Sequence, residues 1–96
     1  MTVRVVIPSA LRKWTGGKEA IEVEAPGDGV TVGEVFAIIS REYPGIRQRV
    51  LDDQGQIRRH VNVLVDGENV RLTSGLGTTL RPNSEVHIFP ALSGGV

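Results

Sequence analysis

Cysteine is absent from this 96-residue sequence, and neither sign of charge is in excess. Without cysteine the chain has no disulfide framework, no thiolate zinc site and no cysteine nucleophile. Eleven lysine and arginine residues balance eleven acidic residues, so the long-range field used by nucleic-acid and membrane-surface binders is missing. We therefore expect a protein of a reducing compartment with no nucleic-acid or membrane partner.

Long apolar runs are missing as well. The apolar run at residues 3–7 is too short for a signal peptide and leads straight into Pro8. No later segment is long and apolar enough to span a bilayer. The chain length suits one domain with a single core. These features favour a single-domain cytoplasmic protein.

Alternation of apolar and polar residues predicts the strands. A period of two marks a strand with one face buried, and the turning pair Gly16-Gly17 joins the first two strands in a hairpin. Asp66-Gly67 is a strong signal for a second hairpin, because both central residues of such a turn tolerate positive φ. The predicted strands are 3–7, 18–24, 61–65, 69–72 and 85–90.

One amphipathic helix is predicted after Thr31. The Thr31 side chain is a good N-cap, and Glu34 can reach back to complete a capping box. Pro44 ends the helix, because proline cannot continue the hydrogen bonding. Residues 46–51 are interpreted as a short turn that packs under the helix. The apolar stripe of the helix consists of Val32, Val35, Phe36 and Ile39.

Five strands and one main helix cannot alternate as regular βαβ units. The predicted fold class is therefore α+β, with a mixed five-stranded sheet packed on the helix. A crossover through the helix favours parallel neighbours at the centre of the sheet. This pattern resembles the β-grasp, or ubiquitin-like, fold.

The C-terminal residues carry a more specific resemblance. The last strand ends in Phe89-Pro90, small and aliphatic residues follow, and then comes Gly94-Gly95. Glycine has no Cβ, so such a pair can lie extended in a slot too narrow for a side chain. This ending resembles that of the ubiquitin-like sulfur-carrier proteins. Segments 61–71 and 73–78 are most similar to the branch that supplies sulfur for cysteine synthesis.

The resemblance implies a protein that serves as a co-substrate, is not an enzyme and holds no cofactor. In the family, an activating adenylyltransferase uses ATP to adenylate the terminal glycine carboxylate, and sulfide replaces the AMP to give a thiocarboxylate. A pyridoxal-phosphate sulfhydrylase would accept the sulfur, on an aminoacrylate, and a metallopeptidase would then release cysteine. Carriers for thiamin, molybdopterin, thiolated tRNA or a secondary metabolite remain alternatives.

Gly95 is the reactive residue that the resemblance implies, and Val96 departs from the family pattern. We expect a peptidase to trim Val96 before activation; the alternatives are an inert tail or a remnant of cloning. Residues 1–90 are expected to form the β-grasp domain, and residues 91–96 a flexible tail. The tail residues before the reactive glycine are Ala91, Leu92, Ser93 and Gly94.

Strand parity also predicts a surface for partners. If the alternate residues face the helix, then Val6, Leu64 and Phe89 point the other way. The fold places their three strands side by side, so they form an exposed apolar patch that leads to the tail. Such a patch usually marks an interaction site, and we expect the activating enzyme to dock there. The residues around the patch are Arg4, Asn62 and His87.

A second function remains open, that of a ubiquitin-like protein modifier or non-covalent interaction domain. For building chains on itself, such a modifier has only Lys13 and Lys18. Conjugation and sulfur transfer share the same adenylated intermediate, so the sequence does not separate them. The default oligomeric state of a small carrier is the monomer.

Other residues give weaker signals. The histidines, His60 and His87, lack the partner spacing of a zinc site, so no metal site is predicted. Arg58-Arg59, with Arg47 and Arg49, could meet an acidic partner or phosphates, although a solvated face is the plainer interpretation. Trp14 either fills the edge of the core or contacts a partner.

Overall fold

The computed structural model describes residues 1–27 and 29–90. In this part of the chain the strands are β1 (Thr2–Val6), β2 (Ala20–Glu24), β3 (Val61–Val65), β4 (Glu68–Asn69) and β5 (Glu85–Pro90). The α-helices are α1 (Val32–Glu42) and α2 (Pro44–Val50). Short 3-10 helices span Ser9–Thr15, Val70–Leu72 and Gly75–Gly77.

The strands form one mixed sheet in the order β2-β1-β5-β3-β4. The central strands β1 and β5 run parallel, while the other neighbours run antiparallel. The hairpin turn between β3 and β4 has positive φ at Asp66 (49°) and Gly67 (90°), as the Asp-Gly pair predicted. The α+β class and the mixed five-stranded β-grasp sheet are confirmed.

Helix α1 begins and packs as predicted. The backbone N–H of Glu34 donates to the Thr31 hydroxyl over 3.2 Å, and the backbone N–H of Thr31 donates to the Glu34 carboxylate over 3.1 Å. This reciprocal pair satisfies backbone donors that would otherwise lack partners at the helix start. The four stripe residues are buried in the core that the helix shares with the sheet: Val32, Val35, Phe36 and Ile39.

The region after α1 was predicted as a turn, and this is wrong, because residues 44–50 form the second helix, α2. Pro44 ends α1 and also occupies the first turn of α2, where its missing N–H costs nothing and its fixed φ suits a helix. Ile46 and Val50 are fully buried, so the predicted packing of this segment on the core holds.

Two predicted strands are shorter than expected. Strand β2 starts at Ala20 because Gly16 and Gly17, both with positive φ, continue the preceding turn. Strand β4 ends at Asn69, whose side-chain oxygen accepts a hydrogen bond from the backbone N–H of Arg71 over 2.9 Å. That bond caps a 3-10 turn, so the predicted strand over 69–72 is wrong beyond its first residue.

Trp14 lies against α2, at the edge of the core. A Cβ placed on Gly45 would lie 2.3 Å from Cδ1 of the Trp14 ring, so the indole occupies the space left by the missing side chain. The structure therefore assigns Trp14 to the packing of the Ser9–Thr15 turn on α2. No helix in the described ranges is long and apolar enough to cross a bilayer.

Candidate functional site

The outer face of the sheet, turned away from α1, brings together the residues that parity predicted. Val6 pairs with His87 across β1 and β5, and Leu64 pairs with His87 across β3 and β5. His87 therefore lies between Val6 and Leu64, in the middle of the surface and not at its border. Phe89 follows two residues later on β5, opposite Asn62, and 46% of it is exposed.

Polarity changes along this outer face. Near the start of β1 and β5, Arg4 pairs with Glu22 over 3.0 Å and with Glu85 over 3.7 Å. Glu85 also contacts Nε2 of His87 over 2.6 Å. The His87 ring then stacks on Phe89, with ring centroids 5.7 Å apart and planes 13° apart. The face is thus ionic where β5 begins and apolar where β5 ends.

Leu72 belongs to the same surface, and sequence reasoning missed it. It is 81% exposed, the largest exposure of any large hydrophobic residue in the described chain. With Leu64 and Phe89 it lines an open depression of about 640 Å³. The hairpin signal at Asp66-Gly67 predicted a return strand over 69–72, which hid this position, because Leu72 lies in a 3-10 turn beside Leu64 and Phe89. We call Val6, Leu64, Leu72 and Phe89 the apolar patch.

The end of the sheet at which the tail begins follows from the strand directions. Pro90, the last described residue, pairs with Val61, the first residue of β3. Since β1 runs parallel to β5, the turn after β1 lies at this same end. The predicted tail residues Ala91 to Gly95, and Val96 after them, lie outside the described residues.

The remaining candidates form no chemical centre among the described residues. No group of three or more histidine and carboxylate side chains in 1–27 and 29–90 is placed to hold a metal ion. Residues Gly75–Gly77 form a 3-10 turn that packs against α1, with the Leu76 carbonyl 3.3 Å from where a Cβ on Gly33 would lie. This turn therefore takes part in the packing on α1.

The sequence matches one known protein family. The profile of the ThiS family matches residues 5–95, which is nearly the whole chain. The chain belongs to the ThiS family. The predicted resemblance to ubiquitin-like sulfur carriers is therefore confirmed.

Individual relatives agree with the family. The chain is 40% identical to sulfur carrier protein CysO of Mycobacterium tuberculosis over 97 residues, covering 99% of this chain and 100% of the relative. The crystal structure of the Amycolatopsis orientalis BexX/CysO complex contains a chain that is 34% identical, with a TM-score of 0.81 and 94% and 96% coverage. Small archaeal modifier protein 3 of Haloferax volcanii is 38% identical over 68 residues, or 71% of this chain and 73% of that protein.

Proposed function

We propose that this ThiS-family protein carries sulfur as a thiocarboxylate on Gly95 and delivers it for cysteine synthesis. The observation that carries the proposal is the combination of a complete β-grasp domain with a family match that runs through the diglycine and ends at residue 95. The identity to CysO over the whole length supports the sulfur-carrier role and favours the cysteine branch.

The tail chemistry needs no side chain of this protein. A carboxylate oxygen of Gly95 attacks the α-phosphorus of ATP in the activating adenylyltransferase, which forms an acyl adenylate and releases pyrophosphate. Sulfide then attacks the carbonyl carbon, so that a C–S bond forms and AMP leaves. The thiocarboxylate is ionised at neutral pH, and its sulfur is a good nucleophile toward an electrophilic carbon held by a second enzyme. Gly94 and Gly95 bring this sulfur through a narrow channel, because neither residue has a Cβ.

Removal of Val96 precedes activation in this proposal. The family match stops one residue short of the end of the chain, which supports Gly95 as the functional terminus. A peptide bond to Val96 replaces the carboxylate that ATP would activate, so the full-length chain has no substrate group at this position. We assign the trimming, and the later release of cysteine, to a metallopeptidase.

The apolar patch is the docking surface for the activating enzyme in this account. Phe89 directly precedes Pro90, from which the tail continues, so a protein that takes the tail also meets the patch. Exposed apolar area of this kind contributes to association when it is removed from water. The Amycolatopsis orientalis complex supports the general idea, because a related chain there is bound to a second protein.

A protein modifier is the second candidate function, and the similarity to small archaeal modifier protein 3 is the observation that favours it. In that case the adenylated Gly95 would be joined to target lysines and not converted by sulfide. The two functions share the activation step and differ in the nucleophile that follows it.

The test uses three forms of the chain with the organism's own activating enzyme, ATP and sulfide. They are the full-length chain, the chain ending at Gly95, and the chain ending at Gly94. We expect the form ending at Gly95 to gain one sulfur in place of one oxygen by intact mass, and the other two to stay unchanged. The form ending at Gly94 is the matched control, since it keeps a terminal glycine in the wrong register.

A thiocarboxylate on the chain ending at Gly94, or none on the chain ending at Gly95, would contradict the proposal. Lysine-linked products in cell extract without sulfur incorporation would support the modifier instead.

A further inference from the structure

A basic surface lies at the tail-bearing end of the domain. Lys13 and Arg49 both lie over the Trp14 ring, with Nζ 4.5 Å and Cζ 4.1 Å from its centroid. Arg49, Arg58 and His60 line one shallow cavity of about 280 Å³. The turn that carries Lys13 and the helix that carries Arg49 are thus joined to the loop before β3.

Hydrogen bonds to backbone carbonyls fix two of these cations. The Arg58 guanidinium donates through Nε to the Gln48 carbonyl over 2.8 Å. The Arg71 guanidinium donates to the carbonyls of Arg58 and Val61, over 2.6 and 2.5 Å. Since Val61 pairs with Pro90, these cations lie beside the root of the tail. We call Lys13, Arg49, Arg58 and Arg71 the basic belt.

The belt residues form no ion pair with an acidic side chain in the described part of the chain. The ion pairs found in 1–27 and 29–90 are those of Arg4 with Glu22 and Glu85, and of Glu85 with His87, and none of them includes a belt residue. Asp52 is near enough to Arg58 to be influenced by its charge, but the Asp52 carboxylate accepts the backbone N–H groups of Gln54 and Gln56. Positive charge therefore accumulates at one end of a chain whose net charge is zero.

We infer that the basic belt binds an acidic protein surface around the mouth of the pocket that receives the tail. This inference rests on the proposed function, because it takes the tail to enter another protein. A pocket that admits the tail must come close to Pro90, from which the tail continues. The belt lies near Pro90, on the β1 side and on the β3 side of β5. The positive belt is complementary to negative charge around the partner's pocket. Such complementarity raises the rate of association and fixes the orientation of the two proteins.

The choice of a protein surface over a nucleic acid follows from the charge of the rest of the molecule. The exposed side chains of Glu19, Glu22 and Glu24 lie along the edge strand β2. A long polyanion that crosses the domain would therefore meet negative charge. A small acidic surface on a protein can contact the belt without reaching these glutamates. Nucleic-acid binding is kept as an outcome of the test.

The first experiment measures adenylation of the chain ending at Gly95 by the organism's own activating enzyme. We expect the pair Lys13→Glu and Arg49→Glu to lower kcat/KM by about tenfold or more and to flatten its decrease with salt. The matched control is the pair Arg41→Glu and Arg81→Glu, which changes the net charge equally at exposed sites outside the belt. The control should stay within about twofold of wild type. Equal losses in both pairs would overturn the inference.

Both belt substitutions remove a cation from the Trp14 ring, so folding is checked by thermal unfolding. If the Glu pair does not fold, the neutral pair Lys13→Gln and Arg49→Gln replaces it, with a smaller loss in the same direction expected. A neutral pair that folds and is adenylated like wild type would overturn the inference.

A second experiment does not depend on the activating enzyme. The full chain labelled with ¹⁵N is titrated with a polyglutamate peptide and, separately, with a single-stranded oligouridylate of similar charge. We expect the peptide to shift amide signals near the belt in wild type, and in the Arg41 and Arg81 control, but not in the Lys13 and Arg49 pair. No localised shifts, or tighter binding of the oligouridylate, would overturn the inference.

The two experiments separate the two hypotheses. If the enzyme does not adenylate the unsubstituted chain ending at Gly95, the proposed function fails, and the peptide titration then decides the belt alone.

Discussion

The two faces of the central sheet are built from the same strands and hold similar apolar residues, yet they differ in burial. On the inner face, Val5, Val63 and Ile88 are 0–2% exposed and pack in one core with α1. On the outer face, Val6 and Leu64 stay half-buried and Phe89 stays exposed. Apolar composition therefore does not tell the faces apart; what covers each face does.

The difference in burial separates two contributions of the apolar residues. The inner residues remove apolar area from water, which supplies most of the folding free energy. The outer residues gain much less on folding and keep exposed area available for a partner. Substitutions on the inner face are thus expected to change stability, and substitutions on the outer face to change association.

The largest expected effect comes from Ile88→Ala on the inner face. Removing this fully buried side chain leaves a cavity among well-packed neighbours and should lower the free energy of unfolding by about 2–5 kcal/mol. Urea denaturation measures the loss. Its matched control is Phe89→Ala on the next residue, which should cost far less; similar costs for the two would contradict the division between the faces.

Phe89→Ala should act on association instead. We expect about a tenfold lower kcat/KM for adenylation of the chain ending at Gly95, since truncation of an aromatic anchor commonly costs more than 1 kcal/mol of binding. The rate is measured with the activating enzyme at limiting carrier concentration. Unchanged kcat/KM in Phe89→Ala and in Leu72→Ser together would remove the apolar patch from the docking surface.

Thr31→Ala tests how far the two faces are independent. Loss of the capping hydroxyl should lower the free energy of unfolding by about 1 kcal/mol, because the backbone donor of Glu34 loses its acceptor. Adenylation of the folded protein should not change, since α1 lies on the side of the sheet opposite the patch. A marked loss of adenylation in a fully folded variant would show that the outer face depends on the cap.

The smallest effect is expected at Asp52, which belongs to neither face. The backbone N–H of Gln56, and then that of Gln54, donate to its carboxylate and hold the Asp52 pKa below its ordinary 3.8. A lowered pKa in the folded state gives stability that is present above pH 3.8 and is lost as pH falls through the folded pKa.

Asp52→Asn keeps an oxygen that can accept these bonds but does not titrate. Its difference in stability from wild type should shrink as pH falls below 3.8, as measured by thermal unfolding across the acid range. A difference that stays constant over that range would contradict this assignment.

Much of this architecture could be predicted from local chemistry. Alternation identified both faces of β1, β3 and β5, Asp66-Gly67 identified a hairpin, and the Thr31 capping box identified the start of α1. Each of these signals involves residues that are close together in the chain, so the sequence alone is enough to detect it.

What the sequence did not reveal depends on residues that are distant in the chain. Pro44 is read as a helix stop, yet it also starts α2, whose short length is stabilised by burial of Ile46 and Val50 in the core. Leu72 reaches the apolar patch only because a side chain ended β4 early. The sequence already grouped Arg58 with Arg49, but it did not reveal that Lys13 and Arg71 lie beside them, because those contacts depend on tertiary packing.

The most direct test of the central claim is the intact mass of this protein isolated from its own cells without a C-terminal tag. The account predicts a chain that has lost Val96 and in which one oxygen has been exchanged for sulfur. Recovery of this protein from those cells only as the full-length, unmodified chain would contradict it.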